Sequence, residues 1–113
     1  MVKIHFWQDK ENGSICMKVK GHAGAAPKGE DLICASATML VYTVAQAMTF
    51  YHEQGFLLEK PKIKIREGKA VVTAKPGEDF FAEVLHTFWV AQCGAHTLAC
   101  NYPEAVSLNH LKV

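Results

Sequence analysis

Two side chains suited to acyl transfer, the imidazole of His22 and the thiol of Cys34, flank a segment of little bulk in GHAGAAPKGEDLIC, residues 21 to 34. A thiolate attacks a carbonyl carbon. An imidazole within hydrogen-bond reach takes the thiol proton and later protonates the departing amine. The small residues Gly21, Gly24, Ala25, Ala26 and Gly29 would let a substrate backbone come close and leave the segment able to move over a site. Asp31 stands where a helix amino cap is expected, which places Leu32, Ile33 and Cys34 in the first helical turn. Unpaired N–H groups and the helix dipole favour an anion such as a thiolate there. A second reading stands beside this one: a cysteine in an apolar helix is also a common packing residue, and a histidine after a strand is commonly a surface residue. Residue types and spacing leave both open.

The elements that must position the pair are legible from periodicity. Val2, Ile4 and Phe6 alternate with Lys3, His5 and Trp7, the period of a half-buried strand, and Asn12-Gly13 then supplies a hairpin turn. A second strand turns Ile15, Met17 and Val19 inward and Cys16, Lys18 and Lys20 outward. A long helix is expected from about Leu32 to Tyr51, ended at Gly55. The order recurs with strands in PKIKIR and AVVTAK, a helix from about Asp79 to Gly94, and a weakly alternating last strand in AVSLNHLKV. Phe80, Phe81, Phe88 and Trp89 have the spacing of a packed helix face, so core is their expected role. The expected fold is a single α+β domain over residues 1–113, a two-layer sandwich in the order ββαββαβ. Its sheet is mostly antiparallel, with both helices on one face.

The chain has 113 residues, half of them apolar, a fifth charged, and a formal net charge of +1, the balance of one folded domain. The amino terminus carries Lys3, Asp9, Lys10 and Glu11 and has no unbroken apolar run, so a secretory signal is not expected and a cytoplasmic location is. Cys16, Cys34, Cys93 and Cys100 are therefore expected as thiols. Residues 32 to 51 carry no charge and are long enough to cross a bilayer, but Ser36, Thr38, Thr43, Gln46 and Thr49 dilute them. A core helix covered on both sides, by its own sheet and by a second copy of the chain, is the simpler expectation, with no membrane partner. Cys93, His96 and Cys100 have a C-x2-H-x3-C spacing that would give zinc three ligands, yet no close fourth is evident. Lys3, Lys18, Lys20, Lys62, Lys64 and Arg66 all fall on outward strand positions. That face is either a solvated surface or a patch that meets RNA or an acidic partner.

GHAGAAPKGEDLICASATML resembles the signature of the ribosomal-processing cysteine protease (Prp) family: Gly-His-Ala, a glycine-containing loop, then Asp-x-x-Cys-Ala and small residues. The element order and the NYPEAVSL ending, residues 101 to 108, extend the resemblance over nearly the whole chain. It implies a cytosolic endopeptidase, usually a homodimer, that removes a short N-terminal peptide from a protein of the large ribosomal subunit or acts on a related phage structural protein. No cofactor is implied. Carried over, Cys34 is the nucleophile and His22 the general base and acid; Gly21 holds the turn that presents the histidine, and Asp31 caps the helix or orients the site. Thr38 departs from the family pattern, which has serine four residues after the cysteine, but keeps the hydroxyl on the Cys34 side of the helix. A non-enzymatic module that binds the ribosome or RNA through the basic sheet face is the alternative.

Overall fold

The structure is a computed structural model that describes residues 1–21 and 28–111, with the side chains of residues 28–31 outside the description. Strands β1 (Val2–Asp9) and β2 (Ser14–Lys20) form the first hairpin. Its turn uses the expected residues: Gly13 takes φ +76°, and the Ser14 N–H donates to Asn12 Oδ1 at 2.9 Å. Helix α1 spans Lys28–Glu53, and β3 (Lys62–Arg66) and β4 (Lys69–Ala74) make the second hairpin. Helix α2 (Phe81–Asn101) follows a short 3-10 turn at Glu78–Phe80, and β5 (Val106–Asn109) ends the described fold. The sheet order is β3-β4-β2-β1-β5, antiparallel except where the chain returns from α2 and lays β5 parallel to β1. The expected ββαββαβ sandwich is the observed one.

Strand alternation sorts the two faces. Val2, Ile4 and Phe6, Ile15, Met17 and Val19, and Ala70, Val72 and Ala74 all point to the helix layer and are buried. Against them lie Ile33, Ala37, Val41, Val44 and Met48 of α1 and Val84, Phe88, Ala91 and Ala95 of α2. Helix α1 is long and apolar enough to cross a membrane, but these residues pack one of its faces on the sheet. Gly55 closes it as expected: at φ +80° it allows its own N–H to reach the His52 carbonyl and the Phe56 N–H to reach that of Tyr51, at 3.1 and 2.9 Å. The buried Gln92 side chain ties α2 to the chain after β5, donating to the Leu111 carbonyl at 3.1 Å and accepting from the Leu111 N–H at 2.5 Å.

Three expectations change. Helix α1 starts at Lys28, so Asp31 is its fourth residue rather than its cap and Cys34 its seventh rather than its third. Helix α2 does not stop at Gly94 but continues to Asn101. A Cβ at Gly94 would lie 2.9 Å from Leu40 Cδ2, so this glycine serves the close approach of the two helices and not a helix end. Trp89, expected in the core with Phe88, is 45% exposed, because the buried stripe of α2 passes through Val84, Phe88, Ala91 and Ala95 and leaves the next position outside.

Two predictions follow from the backbone and from the open face of the sheet. Gly21 ends β2 at φ +91°, and a Cβ there would collide with the Met1 carbonyl, whereas Gly13 has open space around it. Gly13→Ala is therefore expected to cost about 1–2 kcal/mol, the left-handed penalty alone, and Gly21→Ala clearly more, read from denaturant unfolding of the two variants. Cys16 points to the open face but is only 5% exposed; burial first, and the Asp9 charge less, raise its thiol pKa, while a hydrogen bond with Thr73 partly opposes them. A thiol kept neutral by the fold contributes its stability below the pKa of the unfolded thiol and loses it as pH rises through the higher folded value. Stability should thus decline above pH about 8.5 by more in the parent chain than in Cys16→Val, measured as unfolding free energy against pH.

Candidate active site

The rotation of α1 about its own axis decides where Cys34 points. At about 100° per residue, Ile33, Ala37 and Val41 fall in one narrow stripe, and all three are buried against the sheet. Cys34 follows Ile33 by one step and lies at the margin of that stripe, half-buried and packed against the core's edge. Thr38, one turn further on, is exposed on the same side. The thiol is thus neither sealed in the interior nor projected into solvent.

It opens into a groove of about 360 Å³ between the first half of α1 and the end of the sheet. The floor is apolar, from Val2, Val19, Ala37, Val41, Ile65 and Ala70. The rim is polar: Thr38 and Tyr42 on the helix side, and Arg66, Glu67, Gly68 and Lys69 on the β3–β4 turn. Gly21 completes the lining, held there by its N–H donating to the Gly68 carbonyl at 2.9 Å. An apolar floor with polar groups of both charge signs around it suits a peptide segment, whose side chains need burial and whose backbone needs hydrogen-bond partners.

Of the residues singled out in the sequence, Cys34, Thr38 and Gly21 come together on this groove. His22 and the side chain of Asp31 lie outside the described residues. Because Cys34 is the seventh helical residue, its own N–H belongs to the interior of the helix, and the unpaired N–H groups belong to the turn before it. Sequence reasoning missed the contribution of the β3–β4 turn. The strands PKIKIR and AVVTAK that flank this turn were legible, but its arrival beside α1 depends on β4 pairing with β2, a contact distant in sequence.

The zinc spacing gives a different result. His96 directs Nε2 toward Cys100 Sγ at 3.5 Å and Nδ1 toward His110 Nε2 at 3.4 Å, so its neighbours sit on opposite edges of the ring instead of converging on one point. Among the described residues no group of three or more His, Cys, Asp or Glu is arranged to hold a metal ion.

The model of the cysteine protease Prp family matches residues 1–107. The search of curated proteins gave no match. Among solved structures, the essential ribosomal processing protease Prp from S. aureus is similar in complex with a substrate peptide, at 19% identity and a TM-score of 0.68 over 99% of this chain and 100% of that one. The same protease in complex with a covalently linked product peptide gives 20% and 0.66 over the same shares. A Streptococcus mutans protein gives 21% and 0.69, over 99% of this chain and 96% of that one. At such identities the structural likeness speaks for the fold alone, and the family match speaks for kinship. An open groove beside a cysteine, this fold, and a family model matched across nearly the whole chain lead to one conclusion: the chain belongs to the Prp family and is a cysteine protease.

Proposed function

We propose that the chain is an endopeptidase that removes a short N-terminal extension from a protein of the large ribosomal subunit, or acts on a related phage structural protein, with Cys34 as nucleophile and His22 as general base and acid. The observation that carries the assignment is the opening of Cys34 into the groove that Gly21 also lines, His22 being the residue joined to Gly21. The S. aureus protease was obtained with a substrate peptide and with a covalently linked product peptide, the species that nucleophilic cleavage of a peptide would give.

In this mechanism a peptide lies along the apolar floor with its scissile carbonyl over Cys34. The sulfur forms a bond to the carbonyl carbon, the peptide C–N bond breaks, and His22 donates its proton to the departing amine. Water, losing a proton to His22, then cleaves the thioester and restores the thiol. Asp31 would orient this end of the helix, and the Thr38 hydroxyl would contact the peptide from the rim. The reaction needs no cofactor, and a cytoplasmic location fits a ribosomal substrate.

The helix layer suggests how two copies assemble. Leu32, Met39 and Phe50 lie along the side of α1 opposite the sheet, 70%, 63% and 52% exposed, and Val90 of α2 is exposed beside them in the same layer. This apolar stripe would be the homodimer interface. RNA contact, a second property of the same chain, would use residues on the other side of the sheet.

Cys34→Ala and His22→Ala are each expected to lower cleavage of the extended ribosomal protein by at least about 10³-fold with unfolding midpoints little changed, read by mass spectrometry of the substrate's amino terminus. Undiminished cleavage by Cys34→Ala ends the assignment. Light scattering should give the parent chain twice its 12.5 kDa, and Met39→Glu with Phe50→Glu should return it to the mass of one chain. A monomeric parent would refute the stripe as an interface.

A further inference from the structure

The strand pairings align the outward side chains of four strands into rows that the sequence does not display. Lys3, Lys20, Lys69 and Arg66 stand side by side on β1, β2, β4 and β3, as successive cross-strand partners. The next row reads His5, Lys18, Val71 and Lys64, and the third Trp7, Cys16, Thr73 and Lys62. Seven permanent cations thus occupy a patch roughly 14 Å wide, with rows roughly 7 Å apart, by ordinary strand spacings. No Asp or Glu occupies any of these twelve positions.

Like charges placed directly opposite across strands destabilise a sheet, and one complete row here consists only of them. Scattered lysines with interspersed acids would keep the face soluble without that cost. An anionic partner that bridges neighbouring cations converts the same arrangement into attraction. A second copy of the chain cannot be that partner through this face, because a two-fold contact would set cations against cations.

A second feature narrows the anion. Trp7 and His5, neighbours on the outward side of β1, have ring centroids 4.7 Å apart and planes tilted by 37°, with His5 exposed and Trp7 partly so. They border the cation rows with an aromatic surface on which a base can stack, a group that an acidic peptide lacks. Lys62, Lys64, Arg66, Lys69, Val71 and Thr73 also line a shallow groove of about 360 Å³ on the β3–β4 side, which gives a backbone a track across the face.

We infer that the open face of the sheet binds single-stranded nucleic acid, its phosphates on the Lys3–Arg66 and Lys18–Lys64 rows and on Lys62, and a base on Trp7 and His5. Arg66 and Lys69 belong both to this face and to the rim of the Cys34 groove. A strand bound on the sheet therefore ends beside the site of cleavage, and a protein substrate that is itself bound to nucleic acid would be presented there. Binding to the face does not depend on the chemistry assigned to Cys34.

Fluorescence anisotropy with a labelled 12-nucleotide oligouridylate tests this. Binding should weaken with salt on a log–log slope of about −0.7 per phosphate engaged, so the triple variant Lys18→Ala, Lys62→Ala, Lys64→Ala should flatten the slope by about 2. It should also lower affinity at least tenfold. Trp7→Ala should weaken binding severalfold with the slope unchanged, and Cys34→Ala should bind as the parent does. The three lysines are outward residues paired across strands with His5, Val71 and Thr73, so the triple variant should stay folded, and its peptide cleavage should persist, since none of the three lines the Cys34 groove. A deoxyuridylate of equal length distinguishes the two sources of the backbone: equal binding assigns recognition to phosphate and base, weaker binding adds the 2′-hydroxyl. Absence of binding at 50 mM salt, parental affinity in the triple variant, or equal affinity for a polyglutamate of the same charge would each overturn the inference.

Discussion

The packing of one narrow stripe of α1 on the sheet is the constraint from which the rest of the site follows. Ile33, Ala37, Val41, Val44 and Met48 must face Ile4, Met17 and Val72 if either surface is to leave water, and each is buried. Once that stripe is fixed, the helix has no remaining freedom of rotation, and Cys34 is placed on the margin between core and groove. A shift of the buried stripe by one residue would turn the thiol into the sheet or out toward solvent. The reactive position is therefore set by aliphatic contacts that take no part in chemistry.

The two sides of the sheet obey opposite physics. The covered side is apolar on all the central strands, and its alternation with the open side fixes the register of each pairing, because a slip of one residue would bury lysines. That same register aligns the open side's cations into rows. The core thus determines the electrostatic pattern on the opposite face. Arg66 and Lys69, at the tip of the β3–β4 hairpin, join that pattern to the groove beside Cys34.

The seam between helices shows how tertiary contact overrides local preference. Glycine ordinarily marks a helix end, yet Gly94 lies inside α2, where Leu40 of α1 occupies the volume a side chain would need. Tyr51 and Thr87 add a hydroxyl contact of 2.8 Å across the same pair of helices. Trp89 lies on the side of α2 away from this seam, near Gln92 and His96, and is left exposed.

Much was legible because it is local. Alternation in β1 and β2, the Asn12-Gly13 turn, the Gly55 helix stop and the recurrence of strand, strand and helix are encoded within a few residues each, and together they gave the sandwich. The Gly-His-Ala and Asp-x-x-Cys spacing named the residue types that could act. What the chain could not display along its length was the rotation of α1, its earlier start at Lys28, the continuation of α2 through Gly94, the arrival of the β3–β4 turn beside Cys34 and the alignment of lysines from four strands. Each of these depends on contacts between residues far apart in sequence, where the burial of shared apolar surface, rather than any local preference, selects the arrangement.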